Sequence, residues 1–218
     1  MPDTERDRPP VLTIFAGPNG SGKSLLKKLM DQHGVDLGTY INADEIALGL
    51  KSESRSKNQS DLNRDAFHRA RAKRSECIEA GCNFSFETVF SHESNIDTIR
   101  QAKHAGYFIV FNFITTENSL INVGRVAQRV AAGGHDIPRE KIIARYRRCM
   151  ALLPDATILA HQSRFFDNSD TSTRLVGQID WNKSGQPQVE LFTPLPKWIS
   201  HWASEFADRL RRQGDHAQ

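Results

Sequence analysis

Apolar positions along the chain follow two rhythms. Val11–Ala16, the alternation at Phe84 and Phe86, and the run from Tyr107 to Ile114 are short, dense and bounded by glycine or polar residues. That is the pattern of strands buried on both faces of a sheet. Between them apolar residues recur at helical spacing. Leu25, Leu26, Leu29 and Met30 predict a helix over residues 24–33, stopped by Gly34. Further helices are predicted over residues 61–80, capped by Gly81, and over 93–104, followed by Gly106. Two more, 120–132 and 139–153, flank the sequence GGHDIP.

Tyr40 and Ile41 predict a short second strand, and residues 164–166 a fifth. Residues 176–181 and 188–192, separated by Lys183, Ser184 and Gly185, predict a hairpin, and 198–212 a terminal helix. The serine-rich stretch 51–60 predicts a mobile loop. Strand and helix alternate, so the expected fold is α/β: an open, mainly parallel five-stranded sheet flanked by helices, with a helical lid near 120–153. In this division residues 1–10 form a loose tail, 11–195 one domain, and 196–218 a helix and tail packed on it.

With 29 basic and 26 acidic residues among 218, the net charge of +3 argues against a dedicated nucleic-acid binder. Cys77, Cys82 and Cys149 lack paired spacing, which suits reduced thiols rather than a disulfide frame or a zinc site. No apolar run has the length of a membrane span, and the charged, proline-containing start lacks a signal-peptide pattern. The expected location is the cytoplasm.

The first strand runs into Gly17, Pro18, Asn19, Gly20, Ser21, Gly22, Lys23 and Ser24, which fits GxxxxGK[ST]. Glycines let successive main-chain N–H groups turn inward, and the following helix, with Leu25 in its first turn, adds the positive end of its dipole. This P-loop is expected to hold ATP, with Lys23 on the outer phosphates and Ser24 on a magnesium ion. Its context, a buried strand before and an amphipathic helix behind, makes a chance match improbable.

Asp44 and Glu87 follow strands two and three, at the carboxyl edge where open sheets bind ligands. Asp44 is the candidate base for an acceptor hydroxyl, with a helix cap as its alternative use. Glu87 is a candidate for a substrate hydroxyl or for water-mediated support of magnesium, and Thr88 for a substrate contact. Arg129 and Arg145, on either side of Gly133 and Gly134, are candidate lid cations, with Arg125 able to replace Arg129. Asn168 reads as a turn residue with a possible nucleobase contact. The tryptophans Trp181, Trp198 and Trp202 read as packing. The basic helix containing Arg64, Arg69, Arg71, Lys73 and Arg74 reads as a solvated face, with a substrate-phosphate wall or partner surface as the lesser alternative.

The segments IFAGPNGSGKS, INADEIA, FSFETVFS and RVAQRVAAGGHDIPREKIIARYRR, in that order, resemble the zeta-toxin family of P-loop kinases over roughly residues 11–170. The resemblance implies ATP-dependent phosphorylation of a sugar-nucleotide hydroxyl, typically on UDP-N-acetylglucosamine, and a small antitoxin partner that blocks the ATP site. It assigns Lys23 and Ser24 to phosphate and magnesium, Asp44 to the base, Glu87 to a substrate or metal contact, and Arg129 and Arg145 to the lid. Thr88 stands where longer members carry glycine. Two other readings remain open: a nucleotide or polynucleotide kinase, and a non-catalytic ATP-binding switch.

Overall fold

The computed structural model of the chain describes residues 8–53, 58–134 and 136–215. In chain order the elements are β1 (Val11–Ala16), α1 (Lys23–Gln32), β2 (Thr39–Asn42), α2 (Ala43–Glu53), α3 (Gln59–Ala80), β3 (Phe84–Thr88) and α4 (Ser94–His104). They continue with β4 (Phe108–Thr115), α5 (Ser119–Ala131), α6 (Arg139–Leu159), β5 (Gln162–Asp167), β6 (Arg174–Trp181), β7 (Pro187–Leu191) and α7 (Lys197–Asp215).

All strands join one sheet in the order β2-β3-β1-β4-β5-β6-β7. The first five are parallel, and β6 and β7 continue it antiparallel. The predicted hairpin is therefore no separate appendage: it widens the sheet from five strands to seven. β1 lies centrally, and Leu12, Ile14, Phe15 and Ala16 are fully buried, as their continuous apolar run requires. Its carboxyl end opens between β3 and β4, which lie on either side of it, so the loop after Ala16 sits in the ligand-binding crevice of an open sheet.

One main core covers the sheet, with Phe84, Phe86, Phe90, Phe111, Phe113 and Phe165 among its buried side chains. α7 closes one end of it. The ring of Trp202 lies 4.4 Å from that of Phe165 and 5.3 Å from that of Phe206. The indole of Trp198 donates to the Asp167 carboxylate at 2.8 Å, and that of Trp181 to the carbonyl of Thr157 at 3.2 Å. The tryptophans thus serve packing, two of them with their polar edge satisfied.

Two predicted boundaries moved. The loop expected over 51–60 is shorter, because α2 continues to Glu53 and α3 begins at Gln59, where the Asn58 side chain caps it by accepting from the Asp61 amide; residues 54–57 lie outside the described residues. α6 continues beyond Leu153 through Pro154. Proline forfeits one helical hydrogen bond, but Leu153, Pro154, Ala156 and Thr157 are all buried, and that packing carries the helix onward. Among the described residues no helix is long and apolar enough to cross a membrane. The three cysteines are free thiols.

Candidate active site

The P-loop joins β1 to α1, and its shape depends on glycine. Gly17 has φ +151°, and a Cβ there would stand 2.0 Å from the carbonyl oxygen of Ile114. Gly22 is the left-handed N-cap of α1, and a Cβ on it would lie 2.4 Å from Nδ2 of Asn168. The turn is pinned by the Ser21 amide on the Pro18 carbonyl and the Leu25 and Leu26 amides on that of Gly22. Among the described residues the amides of Gly20, Gly22 and Lys23 have no internal acceptor. Such inward, unpaired donors at a helix N-terminus form an anion nest.

Lys23 is 7 % exposed and donates to the Pro18 carbonyl at 3.0 Å, across the mouth of this loop. Burial holds its ammonium below the ordinary lysine value. The carboxylates of Glu87 and Asp44 oppose the shift, whereas the charge of Arg129 adds to it. Three sequence-distant candidates, Glu87, Asp44 and Arg129, are therefore close enough to act on Lys23. Burial likewise lowers Arg145; its neighbour Arg148 adds to the effect, and Asp44 counters it. Nη1 of Arg145 donates to Oδ1 of Asn19 at 3.2 Å, so α6 touches the P-loop directly.

Glu87 ends β3 beside β1. The Ser24 hydroxyl lies 2.9 and 3.1 Å from its two carboxylate oxygens, the Tyr40 hydroxyl donates to it at 3.1 Å, and Lys23 Nζ is 4.0 Å away. Asn42 donates to the Tyr40 oxygen at 3.0 Å, and its own Oδ1 accepts the amide of Asp44 at 2.9 Å. The cap of α2 is thus Asn42, not Asp44. The Asp44 carboxylate, exposed in the first turn of α2, is left free for other work.

Among the described residues no group of three or more His, Cys, Asp or Glu side chains could hold a metal alone. A hydroxyl hydrogen-bonded to one carboxylate does fit magnesium, which keeps several waters and takes phosphate oxygens as its remaining ligands.

Thr88 does not point into this group. Its hydroxyl donates to Oδ1 of Asn95 and accepts from the Phe90 amide, both at 3.1 Å, so it shapes the turn after β3. Arg125 is not an alternative to Arg129. Its guanidinium donates to the carbonyls of Asn168, Ser169 and Asp170 at 2.5, 3.4 and 2.9 Å, which fixes the loop after β5. Asn168 is more than a turn residue. Nδ2 donates to the Ser21 carbonyl at 2.8 Å and Oδ1 accepts from Thr173 at 3.0 Å, clasping the P-loop from the far side.

Sequence reasoning missed Tyr40, which sets the Glu87 carboxylate, and Asn122, fully buried on α5. Asn122 donates to the Asn19 carbonyl at 2.7 Å and accepts from the Thr116 hydroxyl. With Arg145 it ties α5 and α6 to one P-loop residue. The only signal in the sequence was a polar residue on an otherwise apolar helical stripe.

The model of the family described as Zeta toxin matches residues 2–173. The chain belongs to the zeta-toxin family. An uncharacterized protein of Haemophilus influenzae is 31 % identical over 136 residues, covering 61 % of this chain and 90 % of that protein. Among solved structures, the PezAT chromosomal toxin–antitoxin system of Streptococcus pneumoniae superposes with a TM-score of 0.57 at 12 % identity, covering 97 % of this chain and 90 % of that one. The AvrRxo1-ORF1:AvrRxo1-ORF2 complex, described with sulphate ions, gives a TM-score of 0.63 at 17 % identity over 85 % of this chain; its ATP complex gives 0.61. This chain spans 62 % of the length of that protein. At these identities the likeness establishes the fold alone, that of a P-loop NTPase.

Proposed function

We propose that this zeta-toxin family member transfers the γ-phosphoryl group of ATP to a hydroxyl of a small molecule, with a nucleotide sugar such as UDP-N-acetylglucosamine as acceptor. The observation that carries the reading is the company Lys23 keeps: it donates to the Pro18 carbonyl of the P-loop, lies 4.0 Å from Glu87, and feels the charges of Asp44 and Arg129, while Arg145 donates to Asn19 of the same loop. An ATP-binding switch needs a P-loop. It has no use for a free carboxylate whose charge acts on both the P-loop lysine and Arg145.

In this reading the unpaired amides of Gly20, Gly22 and Lys23 and the Lys23 ammonium hold the triphosphate, and the lid cations meet charge developing on the transferred group. Asp44 accepts the proton of the attacking hydroxyl as the new P–O bond forms, and ADP leaves. Ser24, with Glu87 acting through water, would hold a magnesium ion, which when bound neutralises charge between the outer phosphates. Glu87, with its orientation set by Tyr40, can also receive an acceptor hydroxyl. A small antitoxin covering the ATP site would silence the enzyme; the relative in the PezAT system is itself part of a toxin–antitoxin pair.

The test is direct. Purified chain incubated with labelled ATP, magnesium and a panel of nucleotide sugars, nucleosides and sugars will yield a phosphorylated nucleotide sugar by mass spectrometry. Label passing to no acceptor while ATP binds tightly would leave a switch; label on a nucleoside or oligonucleotide 5′-hydroxyl would replace the acceptor class.

Binding should also take up protons. Lys23 starts below its ordinary pKa because burial outweighs its acidic neighbours. A bound triphosphate adds negative charge and raises it, so at pH values between the free and bound pKa the complex holds more protons than the free protein. Affinity for ATP should therefore fall as pH rises through that interval. Calorimetry in buffers of different ionisation enthalpy reads the uptake directly, and proton release across that range would contradict the assignment of Lys23 to phosphate.

A further inference from the structure

The basic face of α3 conceals a charge that neither the fold nor the proposed chemistry uses. Arg74 is 8 % exposed, and its Nε is buried without a hydrogen-bond partner. The guanidinium lies 4.8 Å from the centroid of the Phe86 ring. No carboxylate among the described residues forms an ion pair with it; the nearby Asp97 is paired with Arg100 at 3.2 Å. A ring face compensates a buried cation only in part, since it replaces neither the lost hydration nor the missing acceptor. Burial draws the guanidinium down to about 10, and the charge of Arg71 pulls the same way.

Arg74 lines a cleft between α3 and α4 whose other walls are Arg71, Ser75, Ile78, Ser94, Thr98, Gln101 and Asp97, the last paired outward with Arg100. The enclosed space is about 10 Å³, room for one oxygen-sized atom, and it widens towards solvent. α4 begins at Ser94 beside the same cleft, with its first amides held by His92 and Glu93 and with Glu93 and Asp97 already answering its dipole. Two neighbouring arginines, one with a buried donor that has no partner, call for negative charge. A single water could satisfy Nε but would leave the buried Arg74 charge without an ion pair.

We propose that the α3–α4 cleft is a second oxyanion site, distinct from the P-loop, which takes one oxygen of a phosphate group onto Arg74 Nε while Arg71 holds the remaining oxygens at the mouth. Because Arg74 lies on Phe86, the residue before Glu87, an occupied cleft braces β3 beneath the candidate active site. The inference does not depend on the kinase reading.

The test uses the full chain carrying Lys23→Met, which weakens phosphate binding at the P-loop, with inorganic phosphate as probe. Melting is followed as phosphate replaces chloride at constant ionic strength. Phosphate should still raise the melting temperature of this variant. Adding Arg71→Ala should weaken the apparent affinity about tenfold or more, the usual scale for losing a charged hydrogen-bonding partner. Adding Arg74→Met should abolish the effect, and because Arg71 is exposed, Arg71→Ala decides the matter even if Arg74→Met fails to fold. Repeating the titration with uridine monophosphate separates a free-ion site, of equal affinity, from one that prefers a nucleotide's phosphate. The proposal fails if Lys23→Met alone removes the phosphate response, if Arg71→Ala leaves it unchanged, or if crystals grown in phosphate show only an ordered water on Arg74 Nε.

Discussion

Replacing Asp44 with asparagine should lower phosphoryl transfer by about 10²- to 10⁴-fold, the range spanned by loss of a positioned general base, while ATP affinity and melting temperature hold nearly constant. Two uses of Asp44 compete, and magnitude separates them. A helix cap is worth about 1 kcal/mol and would register as lost stability; a base is worth about 3 to 5 kcal/mol of barrier and registers only in the rate. The geometry has already removed the cap from contention, because Asn42 Oδ1 accepts the Asp44 amide at 2.9 Å. Asn42→Ala should behave in the opposite manner, with stability falling before the rate. The measurements are single-turnover transfer with labelled ATP, nucleotide titration and thermal melting on the same preparations. An Asp44→Asn enzyme that keeps full transfer would take the base role away from Asp44; one that loses ATP binding as well would show the carboxylate to be structural.

What could be read from the chain follows from how local each feature is. The P-loop was legible because its chemistry is main-chain chemistry: glycine spacing, a buried strand before it and an amphipathic helix after it are all encoded within about 20 neighbouring residues. Asp44, Glu87 and the lid arginines were legible as candidates because a strand end or a glycine hinge marks their places. Their convergence was not, since it depends on the strand order that sets β3 and β4 on either side of β1. Asn122, Asn168 and Tyr40 lay deeper still. An asparagine that donates across 103 or 147 positions of sequence leaves no periodic trace, and in isolation it reads as a turn or a blemish on a helix. Thr88 and Arg125 misled for the same reason: they sit where a functional residue would sit, and the turn after β3 and the loop after β5 use them for support. The hairpin was visible as a hairpin. That it extends the sheet depends on the pairing of β5 with β6, which nothing in its own residues encodes.

Arg145→Ala is expected to slow transfer by about 10³-fold or more, in the range known for arginines that meet a transferred phosphoryl group, and to leave the KM for ATP within a few-fold of its starting value. The split between the two parameters is the decisive part. An arginine that merely binds the ground-state triphosphate would raise KM, whereas one that meets charge present only in the transition state lowers kcat. Arg145 is placed for the second role. It is half-buried, it rests on Asn19 at 3.2 Å rather than on a carboxylate, and the Asp44 charge reaches it. Its hold on a neutral amide is weak enough to be exchanged for a phosphate oxygen without breaking an ion pair, which would cost more. Arg145→Lys should recover little, because an ammonium keeps the charge but not the planar fork that reaches two oxygens at once. Asn19→Ala, which removes the resting contact and keeps the arginine, should cost far less rate than Arg145→Ala. Equal losses in the two variants would mean that Arg145 acts only by bracing the P-loop, and the lid would then owe its catalytic charge to Arg129.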